Sequence, residues 1–207
     1  WPGSRKALTR PGTMRRALWL FVVLALLVPG SVTLVSAADF EHQLHVELHP
    51  GSGEIRIKDQ LEVVGIEEFR FSLAAWLTHI EVKVDGKHYE LVQEDNDSII
   101  AFTDSGAHLV EFDLRGRLPP RDAQNTRDLT SSSAVDGVYL PGYDGWIPHP
   151  AGALMRYQLT ITVPAAQRVV VTGKLLDEQF GDDAYQANFI STRPAEPPSL
   201  FAGPYRV

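Results

Sequence analysis

The most suggestive spacing in the chain is His45-Val46-Glu47-Leu48-His49, two histidines four residues apart with a carboxylate between them. On a helix, histidines at i and i+4 lie side by side and can share a zinc ion, and in H-E-x-x-H the Glu after the first His reaches the metal-bound water. Here the Glu stands one place too late, and the surrounding residues alternate as a strand. At roughly 3.3 Å per residue, i and i+4 in a strand are about 13 Å apart, while zinc takes nitrogen at about 2 Å. Both histidines are therefore expected to face solvent. His79, His88, His108 and His149 show no ligand spacing with one another or with carboxylates, so no metal site is assigned. The acids of Glu94-Asp95-Asn96-Asp97 and Gly181-Asp182-Asp183 could ligate calcium, but Asp, Asn and Gly occur at turns for backbone reasons. Ser131-Ser132-Ser133 lack the G-x-S-x-G setting of a serine nucleophile, and neither a phosphate loop nor a dinucleotide fingerprint is present. No catalytic residue is assigned.

What remains is an aromatic loop within residues 136–174, the stretch around which the chain is organised. Pro141, Pro148 and Pro150 remove backbone donors, and Gly137, Gly142, Gly145 and Gly152 permit positive φ, so the loop is expected to be irregular. Aromatics framed this way can stack on a sugar or a peptide side chain, with Tyr143 and Trp146 the best pair. Equally, Trp146 and Tyr139 can fill the core where the loop returns to the fold. The candidate binding residues are Tyr139, Tyr143, Asp144 and Trp146.

The elements that must position this loop read as strands. Phe40, His42, Leu44, Val46 and Leu48 alternate with polar residues, as in a half-buried strand. Pro50-Gly51-Ser52-Gly53 turns the chain into Ile55, Ile57, Leu61 and Val63, with a slip expected near Lys58-Asp59-Gln60, and these two strands form a hairpin. Further short strands are expected around Phe69 and Phe71, Ile80 to Val84, Tyr89 to Gln93, Ile99 to Thr103 and Val110 to Leu114. Asp85-Gly86 is a two-residue hairpin signal. Residues 115–134 break the rhythm as a long polar loop. After the aromatic loop, Met155, Tyr157, Leu159, Ile161 and Val163 share one face of a long strand, and Val169 to Val171, Tyr185 to Ile190 and Ser199 to Val207 supply the last ones. Turns every 8 to 12 residues or so and the lack of any 3.6-residue period indicate an all-β sandwich.

Residues 14–37 read as a signal peptide: Arg15 and Arg16, then an apolar run from Ala17 to Val28, then small residues ending Val35-Ser36-Ala37. Twelve apolar residues fall short of the roughly 20 needed to span a bilayer. Residues 1–13 read as upstream or mis-started translation, and residues 38–207 as the exported domain, destined for the periplasm or the exterior; membrane anchoring is not legible. That domain carries 14 basic against 26 acidic residues, a net charge of −12, which argues against nucleic acid as partner. The chain has no Cys, so neither a disulfide nor a thiolate metal site can form.

Gly137-Val138-Tyr139-Leu140, then Trp146-Ile147-Pro148, a long strand ending Val163-Pro164, and Val169-Val170-Val171-Thr172-Gly173 resemble the N-terminal domain of the aminopeptidase N family of zinc metallopeptidases. Residues 200–207 (LFAGPYRV) resemble the strand that closes that domain. The resemblance implies a large, saddle-like antiparallel β-sandwich that caps the active-site cleft and helps bind the amino end of a peptide substrate. It places the zinc in a catalytic domain beyond Val207, the chain's expected partner; this chain holds no cofactor and, lacking H-E-x-x-H, should be inactive alone. Many relatives use a Gln or Glu here to hold the substrate's amino group, whereas residues 139–143 contain neither and Asp144 is the candidate substitute. The alternative is a free-standing secreted β-sandwich that binds glycan or protein through the aromatic loop.

Overall fold

The structure, a computed structural model, describes residues 40–122 and 130–205. Contacts divide the chain into Trp1–Ser36 and Ala37–Val207, and every described residue belongs to the second unit. The expected upstream segment and signal peptide, part of the polar loop, and Arg206 and Val207 lie outside the described residues.

Fifteen strands are found among the described residues: β1 (Phe40–His49), β2 (Glu54–Val64), β3 (Glu68–Phe71), β4 (Leu77–Val84), β5 (Lys87–His88), β6 (Val92–Glu94), β7 (Asp97–Ala101) and β8 (Ala107–Arg117) in the first half. The second half supplies β9 (Ser132–Ala134), β10 (Gly137–Leu140), β11 (Met155–Pro164), β12 (Arg168–Val171), β13 (Lys174–Phe180), β14 (Ala184–Ala195) and β15 (Leu200–Gly203). They form an eight-stranded sheet in the order β13-β14-β11-β1-β2-β8-β4-β5, a four-stranded sheet β12-β15-β10-β9 and a three-stranded sheet β3-β7-β6. The fold is all-β and built mainly of antiparallel pairs; β1 and β11 pair in parallel.

Period-two alternation explains the layers. β1 buries every second residue, so one face of the large sheet is apolar and must be covered. Phe69 of β3 packs on Phe40 at 5.6 Å between ring centroids, and Phe71 packs edge-on against Phe112 of β8 at 5.4 Å. Leu140, Leu200 and Val171 of the four-stranded sheet join the same core. The expected hairpin of β1 and β2 is present. At Asp85-Gly86 the backbone takes positive φ at both residues, and the Asp85 carboxylate accepts from Leu109 N at 3.0 Å and bonds His108 Nδ1 at 2.9 Å.

Three expectations are corrected. No slip occurs near Asp59: the register of β2 with β1 runs unbroken from Leu61 to Glu54, and Asp59 takes the inward place because His42 receives its carboxylate. The aromatic stretch begins as a strand, since β10 pairs with β15 and β9. β13 was not expected at all; all seven of its residues are exposed, so it carries no alternation, and its pairing with β14 alone makes it a strand.

Gly116 of β8 pairs with Leu77 where β4 is irregular. A Cβ there would strike the Trp76 carbonyl oxygen and come within 2.9 Å of Leu77 Cα, both backbone atoms that cannot swing aside. Gly116→Ala is expected to destabilise the domain by on the order of 2 kcal/mol, read as a lower urea midpoint; an unchanged midpoint would mean that the two backbones are not in close contact.

Candidate functional site

Between β10 and β11 the chain runs as the irregular loop 141–154, held down at several points. Gly142 lies against the Pro197 carbonyl so closely that no Cβ could be added, and its N–H donates to Ser199 Oγ at 3.1 Å. Gly145, at φ +68°, accepts from Ala74 N at 2.8 Å. Asp144 accepts from Ser131 N at 2.9 Å. The indole of Trp146 is fully buried.

A groove of about 430 Å³ is lined by this loop together with Ser72, Glu196, Pro197 and Ser199. Tyr143, 73% exposed, stands at its edge; Glu196 supplies a carboxylate and Leu154 an apolar contact. Of the four candidate residues only Tyr143 lines the groove. Asp144 braces the loop and Trp146 anchors it in the core. Tyr139 lies on the outward face of the four-stranded sheet, stacked on Phe201 at 4.6 Å. Burial first, then Tyr143 and the Asp144 carboxylate, push its phenol above the usual value.

His149 forms part of the groove lining and leads inward to a buried polar chain. Its Nε2 meets the Ala153 carbonyl at 3.0 Å and its Nδ1 faces His42 Nε2 at 3.4 Å. His42 Nδ1 in turn meets Asp59 Oδ2 at 2.7 Å. His42 and Asp59 are completely buried, and Asp59 Oδ1 has no partner among the described residues. Burial holds the His149 imidazole down at about 4; the Ala153 carbonyl opposes this and His42 adds to it. These residues are 17 and 107 positions apart, so no local spacing announces them. The available signal was polar residues in inward places, His42 within the apolar face of β1 and Asp59 where the alternation of β2 seemed to fail.

His45, Glu47 and His49 all point outward from β1, His45 paired with Lys58 and Glu47 with Arg56 on β2. No group of three or more His, Cys, Asp or Glu among the described residues is arranged to hold a metal. The acids at Glu94 and Asp97 are engaged by Arg70, at 2.6 and 3.8 Å. On the outer face of the large sheet a second depression of about 580 Å³ is lined by mixed charges, among them Lys58, Lys83 and Glu111. Asp113 there is raised by burial, but the Arg56 and Arg115 guanidiniums prevail and hold it at about 2.

The neutral burial of His149 has a pH signature. Its folded value near 4 lies below the ordinary histidine value of about 6.5, so the folded state binds fewer protons between them. The stabilisation is complete above about pH 6.5 and is lost as pH falls through about 4, roughly 3 kcal/mol in all. His149→Gln is expected to flatten this part of the stability curve, measured by urea unfolding across that range; parallel curves for the two proteins would remove His149 as the source.

The sequence matches no protein-family model and no curated protein. The fold does find solved relatives. A mutant of the M1 zinc metallopeptidase from Deinococcus radiodurans, bound to a Tyr-Ser-Ala substrate, superposes with a TM-score of 0.63 at 14% identity, covering 81% of this chain and 42% of that one. The same enzyme in another crystal structure gives 0.63 at 13% identity. Legionella pneumophila aminopeptidase A, in complex with aspartic acid, gives 0.61 at 14%, with 22% of its length covered. The chain thus spans less than half of each of these enzymes, and its fold is similar to one part of them.

Proposed function

We propose that this chain is the non-catalytic N-terminal domain of an exported zinc aminopeptidase, capping the active-site cleft and helping to bind the amino end of the peptide. The observation that carries this reading is the partial coverage: 81% of this chain matches only 42% of an M1 enzyme. In that reading zinc and the hydrolytic residues belong to a catalytic domain beyond Val207.

The outward face of the four-stranded sheet supports it. Val170, Phe201 and Tyr139 lie in register across β12, β15 and β10, and Val170 and Phe201 are 57% and 42% exposed. An apolar row of this kind beside a groove suits burial against a larger domain. The groove offers a peptide's terminal ammonium the Glu196 carboxylate, and its first side chain the ring of Tyr143. The exposure of Tyr143 also favours the second reading, a free-standing module that stacks a sugar ring on this residue.

A protein extended through the downstream reading frame should release N-terminal residues from peptides in a zinc-dependent way, and the 207-residue chain alone should release none. Tyr143→Ala in the extended protein is expected to raise KM about tenfold with kcat unchanged, the mark of lost ground-state binding worth about 1.4 kcal/mol. An extended protein without peptidase activity, together with saturable glycan binding abolished by Tyr143→Ala, would replace the first reading by the second.

A further inference from the structure

The buried chain Asp59–His42–His149 poses a question of proton count that its own geometry answers. A carbonyl oxygen only accepts, so the 3.0 Å contact with Ala153 O requires a proton on His149 Nε2. A neutral imidazole has one N–H, which leaves His149 Nδ1 with a lone pair. That lone pair faces His42 Nε2 at 3.4 Å. If Asp59 is a carboxylate and His42 a neutral ring donating from Nδ1, then His42 Nε2 also presents a lone pair, and two buried acceptors oppose each other. Such an arrangement costs the desolvation of both nitrogens with no bond in return.

A second observation leads to the same result. His42 and Asp59 are completely buried, and one carboxylate oxygen of Asp59 has no partner among the described residues. A pair left with a net negative charge there would carry a heavy desolvation penalty, while one further proton makes it neutral.

We infer that His42 carries a proton on Nε2 and donates it to His149 Nδ1, so that the Asp59–His42 pair holds one proton more than an ordinary aspartate and neutral histidine and pins the groove loop to the central sheet. The count is the same whether the other proton rests on His42 Nδ1 or on Asp59 Oδ2. The titratable groups facing this proton are Asp59 from β2, His149 from the loop and the Tyr157 phenol from β11, the partner of His42 across the pair; burial keeps that phenol protonated beyond its usual range. Without that proton the two lone pairs oppose each other and His149, a lining residue of the groove, loses its bond to the sheet. The groove's shape is thereby tied to one buried proton, whatever ligand it takes, and the inference does not depend on the peptidase reading.

The test is nuclear magnetic resonance of the histidine rings in the nitrogen-labelled full chain near neutral pH. A bound proton on His42 Nε2 and a scalar coupling from that nitrogen to His149 Nδ1 are expected. In Asp59→Asn the side-chain amide can donate to His42 Nδ1 and keep the proton on Nε2 without any charge, so the coupling should persist. An unprotonated His42 Nε2 in the wild type would overturn the inference, as would loss of the coupling in a folded Asp59→Asn. Ring signals that change on chelation would put a metal ion, not a proton, between the rings and overturn it equally. The wild-type measurement stands even if the variant does not fold.

Discussion

The parallel pairing of β1 with β11 holds the two halves of the molecule together. Parallel neighbours cannot be joined by a tight turn, and here the connection contains everything from β2 to β10. The first half hangs from one edge of β1 through β2, β8 and β4, and the second half from the other edge through β11 and β14. Both smaller sheets lie within or after that connection, so they can cover the large sheet only once Phe40–His49 has found Met155–Pro164. A pairing between residues so distant in sequence is entropically expensive to form. It is held by side chains on one face of both strands that are almost wholly excluded from water.

The same strand sets the place of the groove. Leu44, Val46 and Leu48 commit β1 to the core, and in that apolar file His42 is the exception. Its partners are drawn from both halves, Asp59 from the hairpin beside it and His149 from the loop that leads into β11. The loop has few regular backbone bonds of its own. Its position follows from Trp146 sunk in the core, from the close approach of Gly142 to Pro197, and from the edge of His149 against Phe40 at 5.4 Å. Of the loop's aromatic rings, Tyr143 is the one exposed to solvent.

Much of this was legible in the residues because burial on one face imposes alternation. β1, β2, β8 and β11 each show it, and all four contribute to the shared core. Legibility ends where that cause is missing. β13 is exposed on both faces, and the short strand β10 is interrupted by the glycines and prolines that follow it, so neither pattern reaches the length at which period two can be recognised. Asp59 looked like a break in register because its counter-group lies on a different strand. Aromatic residues in the loop pointed to the right region, yet ring type alone could not separate Tyr143 at the surface from Trp146 in the core; that division depends on which way the chain enters β11.

The two rims of the eight-stranded sheet end very differently. One is the two-residue β5, too short to template anything. The other is β13, seven residues long with Leu175, Leu176 and Phe180 exposed. Its ladder is interrupted between Leu175 and Asp177, and Lys174, Asp177 and Glu178 add charge, two devices by which open edges resist unwanted pairing. The longer rim is thus the one that carries both safeguards, while β5 shields only Lys83 and Val84 at the end of β4.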